Sequence, residues 1–159
     1  MNEPRTIAFD TRLACATQFL ACAEVASGTL HAFDPDFSVF PLGTIEADTA
    51  LRAFLVRGGR LRLALHDTAH IERHAPRFLR LLRDYGHLCE CRQTPRGLRQ
   101  LTDSFCIADD QHIVRRFHSD HPRGEAAFDQ APDCELARLR FDAIWQESRT
   151  TLHMSRTGL

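Results

Sequence analysis

Hydrophobic and polar positions along this chain follow two rhythms that trade places. Over residues 11–26, Leu13, Ala16, Phe19, Leu20 and Ala23 recur near helical spacing and predict a helix, closed by Ser27-Gly28. Residues 29–34 then read as a short strand, stopped by Pro35. The loop that follows carries Phe37, Val39 and Phe40, apolar residues that can be pinned inward. Thr44 can cap a second helix reaching about Arg57, with Gly58-Gly59 after it. The alternation Arg-Leu-Arg-Leu-Ala-Leu over residues 60–65 predicts a second strand, ending at His66-Asp67.

A third helix is predicted over 75–85, with Phe78, Leu79, Leu81 and Leu82 apolar and Gly86 at the stop. Residues 88–92 read as a third strand, 96–101 as a connection with room for one helical turn, 104–108 as a fourth strand, 109–111 as a turn and 112–117 as a fifth strand. Pro132 opens a last helix carrying Leu136, Leu139, Phe141, Ile144 and Trp145. The order α-β-α-β-α-β-β-β-α predicts an α/β fold. Its expected form is a mixed, mostly parallel sheet of about five strands with a C-terminal β-hairpin and helices on both faces. Residues 1–159 make one domain in this reading, with 1–9 and 149–159 as frayed tails. Ligands on such sheets gather beyond the carboxyl ends of the parallel strands, where Asp34, His66-Asp67 and Gln93-Thr94 lie.

Charge adds an asymmetry. Net charge is −1, but residues 1–50 hold 2 arginines against 7 acids, residues 51–100 hold 11 against 4, and residues 101–159 hold 7 against 10. A basic middle can face an anionic ligand or the acidic thirds of its own chain. All 20 basic residues are arginine, so no step here can use a lysine amine, while bidentate grip on phosphate or carboxylate is well served. No apolar run approaches the ~18 residues of a membrane span. The first residues lack the layout of a secretory signal, so a cytoplasmic location is expected. The six cysteines, at 15, 22, 89, 91, 106 and 134, include no Cys-x-x-Cys pair and read as buried thiols.

Two polar constellations stand out. His66, His70 and His74 are spaced i, i+4, i+8, but His66 ends a strand, which spoils the helical register a metal would need, and no metal is expected. The run His118-Ser119-Asp120-His121-Pro122-Arg123-Gly124, just after Arg115 and Arg116, is the densest polar cluster and can hold a phosphate bidentately. No nucleophile elbow and no glycine-rich phosphate loop occur.

The last sixty residues resemble one half of a phospholipase D-like domain. That superfamily carries a strand reading His-x-Lys-x4-Asp, a turn, a second strand, and a helix ending in a Phe-x-x-x-Trp-x-x-Ser-like pattern. Here Thr102-Asp103-Ser104-Phe105-Cys106-Ile107-Ala108-Asp109 falls at the motif. Asp109 keeps the acid, Thr102 stands for the histidine and Ser104 for the lysine. Residues 112–117 match the second strand, and Phe141-Asp142-Ala143-Ile144-Trp145-Gln146-Glu147-Ser148 the helix end. The chain is also similar to an uncharacterised family of proteobacterial domains with a degenerate half of this type. Some of those are fused behind acetyltransferase-like domains, which implies an accessory role.

In active members of the superfamily a histidine attacks phosphorus and a lysine steadies the oxyanions. The resemblance therefore implies a non-catalytic domain without cofactor, binding a phosphate-bearing ligand or a partner protein. Because active relatives assemble two halves around one site, it also implies a homodimer or pairing with another chain. The residues expected to bind the ligand are His66, Asp67, Asp109, Arg115, Arg116, His118, Asp120 and Arg123. Two alternatives stand beside this reading. One is a divergent hydrolase or transferase with His118 as base or nucleophile, Asp120 or Asp67 orienting it, and Arg115, Arg116 and Arg123 holding anionic oxygens. The other is a nucleic-acid-binding accessory module.

Overall fold

The computed structural model describes residues 3–152. Its elements are β1 (Arg5–Phe9), α1 (Arg12–Val25), β2 (Thr29–Phe33), α2 (Ile45–Val56), β3 (Arg60–Leu65), α3 (Ala69–His74), α4 (Pro76–Asp84), β4 (Cys89–Gln93), a 3₁₀ turn (Arg96–Leu98), β5 (Ser104–Ala108), β6 (His112–His118), β7 (His121–Phe128), α5 (Ala131–Glu147) and β8 (Arg149–Thr151). Thr11 and Thr44 cap α1 and α2: each hydroxyl accepts from the N–H three residues on, at 3.0 and 3.1 Å.

The strands form one eight-stranded sheet among the described residues, in the order β1-β7-β6-β5-β2-β3-β4-β8. The expected α/β class with helices on both faces holds, but the sheet corrects two expectations. It has eight strands rather than five, and it is mostly antiparallel: only β2–β3 and β3–β4 run parallel. The extra strands come from stretches with little local signal. β1 and β8, expected as tails, are edge strands that pair with β7 and β4; residues 1–2 and 153–159 lie outside the described residues. β7 begins His-Pro-Arg-Gly, which reads as a turn. Proline is tolerated there because β1 pairs with β7 only from Gly124 onward, leaving Pro122 on a one-sided stretch. Gly124 is needed at a close approach: a Cβ there would come within 2.0 Å of the Arg115 carbonyl oxygen across the β6–β7 irregularity.

Side chains alternate between two cores with the strand period. Leu30 and Ala32, Leu61, Leu63 and Leu65, and Cys106 and Ala108 face the side covered by α1, α2 and α4. Phe33, Ala64, Phe105 and Ile107 face α5, against Phe141, Ile144 and Trp145. Because β5 is antiparallel to β2, the start of β5 and the end of β6 lie at the carboxyl edge of the parallel strands. No helix of the described residues is long and apolar enough to cross a membrane.

Candidate functional site

The carboxyl edge is where β2, β3 and β4 release the chain and where β5 begins. Just past β2, the Asp34 carboxylate is fully buried. One oxygen, Oδ2, accepts from the N–H groups of Asp36 (3.0 Å) and Phe37 (2.5 Å). This holds Phe37 at φ 58°, a left-handed conformation that a bulky residue adopts only when its surroundings impose it. The other, Oδ1, accepts from Arg116 Nη2 at 2.8 Å and from the Ser104 hydroxyl. Arg116 Nη2 also donates to Ser104 Oγ at 3.1 Å, and Nη1 donates to the Ser119 carbonyl at 2.9 Å. Arg116 is 2% exposed and Ser104 fully buried, so this cluster is closed to solvent. The guanidinium is neutralised from inside the chain. The serine hydroxyl donates to the Asp34 carboxylate and is fully buried between it and that cation, out of reach of a ligand in solvent. Thr102 lies two residues upstream, in an irregular segment.

His66 ends β3 and is buried, with Nδ1 2.5 Å from Thr94 Oγ1 and Nε2 2.7 Å from the Leu101 carbonyl oxygen. A carbonyl can only accept, so Nε2 carries a proton, and the Thr94 hydroxyl can donate to Nδ1 of the neutral ring. Both nitrogens are engaged, and the ring clamps the start and the end of the 94–101 loop. Asp67, next in sequence, accepts from the Ala69 N–H at 2.9 Å at the start of α3.

The β6–β7 hairpin rises over the same edge. His118 Nδ1 accepts from the Asp120 N–H at 3.0 Å, and the Asp120 carboxylate lies 3.6 Å from that nitrogen. His118, Asp120 and Arg123 are solvent-facing. With Nδ1 accepting from a backbone N–H, that nitrogen does not donate to the Asp120 carboxylate in the way an oriented general base would.

Of the eight residues singled out by sequence, six therefore lie at or beside the carboxyl edge: His66, Asp67, Arg116, His118, Asp120 and Arg123. Two do not. Asp109 is at the opposite end of β5, in a tight turn where Asp109 and Asp110 have φ 57° and 56°. Its carboxylate accepts from the N–H groups of Ser27 (2.9 Å), Gly28 (2.7 Å) and Thr29 (2.9 Å). Burial works to raise this carboxyl, but those backbone donors outweigh it and hold it below the usual aspartate range. Arg115 faces the other side of the sheet, donating to the Asp133 carbonyl at 3.0 Å and lying 4.0 Å from Glu125.

The edge has a further feature that its local sequence does not announce. Gln93, Thr94, Pro95, Arg96, Arg99 and Arg149 line an open cavity of about 570 Å³. The signal available was the density of arginine between 92 and 99; what could not be read was that β8, three residues long, brings Arg149 opposite Gln93.

Other candidates fall away from the edge. His70 and His74 come together on α3 with ring centroids 4.8 Å apart, while His66 is held elsewhere. Among the described residues no group of three or more His, Cys, Asp or Glu side chains is placed to hold a metal. All six cysteines are free thiols. Burial pushes Cys15 up to about 11 and Cys89 and Cys134 up to about 12, and raises Cys91 and Cys106 as well, so their reactive thiolate forms are suppressed at neutral pH.

Comparison with known proteins agrees with this architecture. The model of a family described as "Domain of unknown function (DUF7931)" matches residues 11–156. No curated protein matches the sequence. Among solved structures, the chain is similar to Nuc, a phospholipase D family member from Salmonella typhimurium, with TM-score 0.69 and 13% identity over 94% of this chain and 99% of that one. NucT from Helicobacter pylori aligns with TM-score 0.65 and 9% identity, covering 94% of this chain and 100% of that one. TrmBL2, an archaeal chromatin protein, aligns with TM-score 0.70 and 11% identity over 92% of this chain and 54% of that one.

Proposed function

The chain belongs to the DUF7931 family and has a phospholipase D-like fold, and from that premise we propose that it is a non-catalytic phospholipase D-like domain whose carboxyl edge binds a phosphate-bearing ligand. One observation carries the reading. At the position where the superfamily's motif has a lysine, the chain has Ser104, enclosed by the Asp34–Arg116 pair. The one cation buried there is neutralised by a carboxylate rather than free for an oxyanion. The motif's histidine is replaced by Thr102, whose hydroxyl is a weak nucleophile at its free pKa.

Anion binding is supported by the uncommitted donors on the same edge, Arg123 on the hairpin and the arginines beyond β4. Pairing with a second copy or with another chain belongs to the same reading, and the exposed Leu136 and Leu139 on α5 offer apolar surface for it. Against the hydrolase alternative stands the geometry of His118, whose Nδ1 accepts from a backbone N–H instead of donating to the Asp120 carboxylate.

The test is hydrolysis of bis(p-nitrophenyl) phosphate in the presence of a chelator, run beside thermal melts with inorganic phosphate. Turnover at the buffer rate together with a phosphate-dependent rise in Tm is expected. Metal-independent turnover that disappears in Thr102→Ala or Asp109→Ala would overturn the reading.

A further inference from the structure

The cavity beyond β4 is built more deliberately than an exposed arginine patch needs to be. Its floor is anchored: Thr94 N–H donates to the Leu65 carbonyl at 2.9 Å, and the Thr94 hydroxyl meets His66 Nδ1. Gln93 Nε2 donates to the His66 carbonyl at 3.0 Å. The far end of the loop is tied to His66 Nε2 through Leu101, and the 3₁₀ turn between them closes with Arg99 N–H on the Arg96 carbonyl at 3.2 Å. Arg149 is set opposite Gln93 by the β4–β8 register. A buried histidine thus fixes the segment that carries two of the three arginines, and a strand fixes the third.

The charge lining this cavity is unbalanced. Arg52, Arg92, Arg115, Arg116, Arg138 and Arg140 each lie against a carboxylate. Among the described residues Arg96, Arg99 and Arg149 make no ion pair, and no acid lines the cavity they share. Three guanidiniums around one cavity repel one another unless an anion lies between them. The cavity also sits at the carboxyl ends of parallel strands, where open α/β sheets place their ligands.

The lining selects the class of anion. It contains no aromatic residue on which a nucleobase could stack, so single-stranded nucleic acid would gain only backbone contacts there. A volume near 570 Å³ lies in the range of small-molecule pockets, and a single phosphate would leave most of it to water. Resting on the anion-binding reading above, we propose that Arg96, Arg99 and Arg149 form the binding site for a small ligand with linked phosphates, a pyrophosphate or nucleoside diphosphate.

Calorimetric titration of the full chain with pyrophosphate tests this, with Arg96→Gln, Arg99→Gln, Arg149→Gln, the hairpin variant Arg123→Gln and, as control, Arg83→Gln at an exposed position of α4, each checked for an unchanged melt without ligand. Loss of each groove arginine is expected to weaken binding about tenfold, as removal of one charge-assisted bidentate contact does, while Arg83→Gln binds like the parent. A parallel titration with ADP separates the sources: equal affinity points to the phosphates alone, tighter binding to a nucleotide. If the parent binds pyrophosphate and only Arg123→Gln weakens it, the groove assignment is overturned and the anion-binding reading survives. If the parent binds neither pyrophosphate nor inorganic phosphate, both fall. Groove-dependent binding of a thymidine oligonucleotide tighter than that of pyrophosphate would overturn the ligand class.

Discussion

Arg116 and the trio Arg96, Arg99 and Arg149 stand on one edge of one sheet, yet they serve opposite purposes. Arg116 is sealed, its charge met at 2.8 Å by Asp34 and its fork tied to Ser104 and to the hairpin at Ser119. The trio is open and has no acid beside it. What separates them is burial. A guanidinium taken out of water must bring its counter-charge with it, whereas one on the rim can leave that role to a ligand. The edge therefore closes its buried cation with a carboxylate and leaves its uncompensated positive charge on the rim.

The largest effect expected from breaking this contrast is on the sealed side. Arg116→Ala strands the Asp34 carboxylate and should cost about 3–5 kcal/mol in urea denaturation. His66→Ala comes next: it frees both ends of the 94–101 loop and leaves buried polar groups unsatisfied, for roughly 1–3 kcal/mol. It should also weaken pyrophosphate binding without touching a groove arginine, which calorimetry on the folded variant would reveal.

At the far end of β5, Asp109→Ala removes the acceptor for three backbone N–H groups and should cost about 1–2 kcal/mol, like the loss of a helix cap. The sign of its pH dependence follows from a carboxyl held lower in the folded state than in the unfolded chain. Its contribution is present above about pH 4 and fades as pH falls through the lower folded value, so the variant's stability should vary less than the parent's in acid melts. Smallest is the effect of Arg96→Gln, Arg99→Gln or Arg149→Gln on stability, within about 0.5 kcal/mol, because exposed and unpaired side chains support nothing.

The periodic segments were legible in the sequence. The α1 helix, the α2 cap, β3 and β5 follow from the apolar spacing over 11–26, Thr44, the alternation at 60–65 and the apolar run at 104–108. β1, β7 and β8 were not, because their patterning is weak and their existence is decided by partners distant in sequence; β1 pairs with residues some 120 positions away. The edge itself was legible, since strand ends announce it, and six of the eight chosen residues sit there. The roles were not. That His66 uses both nitrogens internally, and that Arg116 is closed by Asp34, depends on contacts between residues 28 and 82 positions apart. Asp109 stands at the motif's acid in sequence, but the seven-residue spacing from Thr102 carries it to the opposite end of β5, where its partners are backbone N–H groups.

The sealed pair is most directly examined by a double-mutant cycle between Asp34 and Arg116, using Asp34→Asn, Arg116→Met and the two together, read by urea denaturation. A coupling energy of at least about 2 kcal/mol, with the double variant more stable than Arg116→Met alone, is the predicted result. Additive losses would mean that Arg116 is not neutralised by Asp34, and a free guanidinium would then lie beside Ser104 after all.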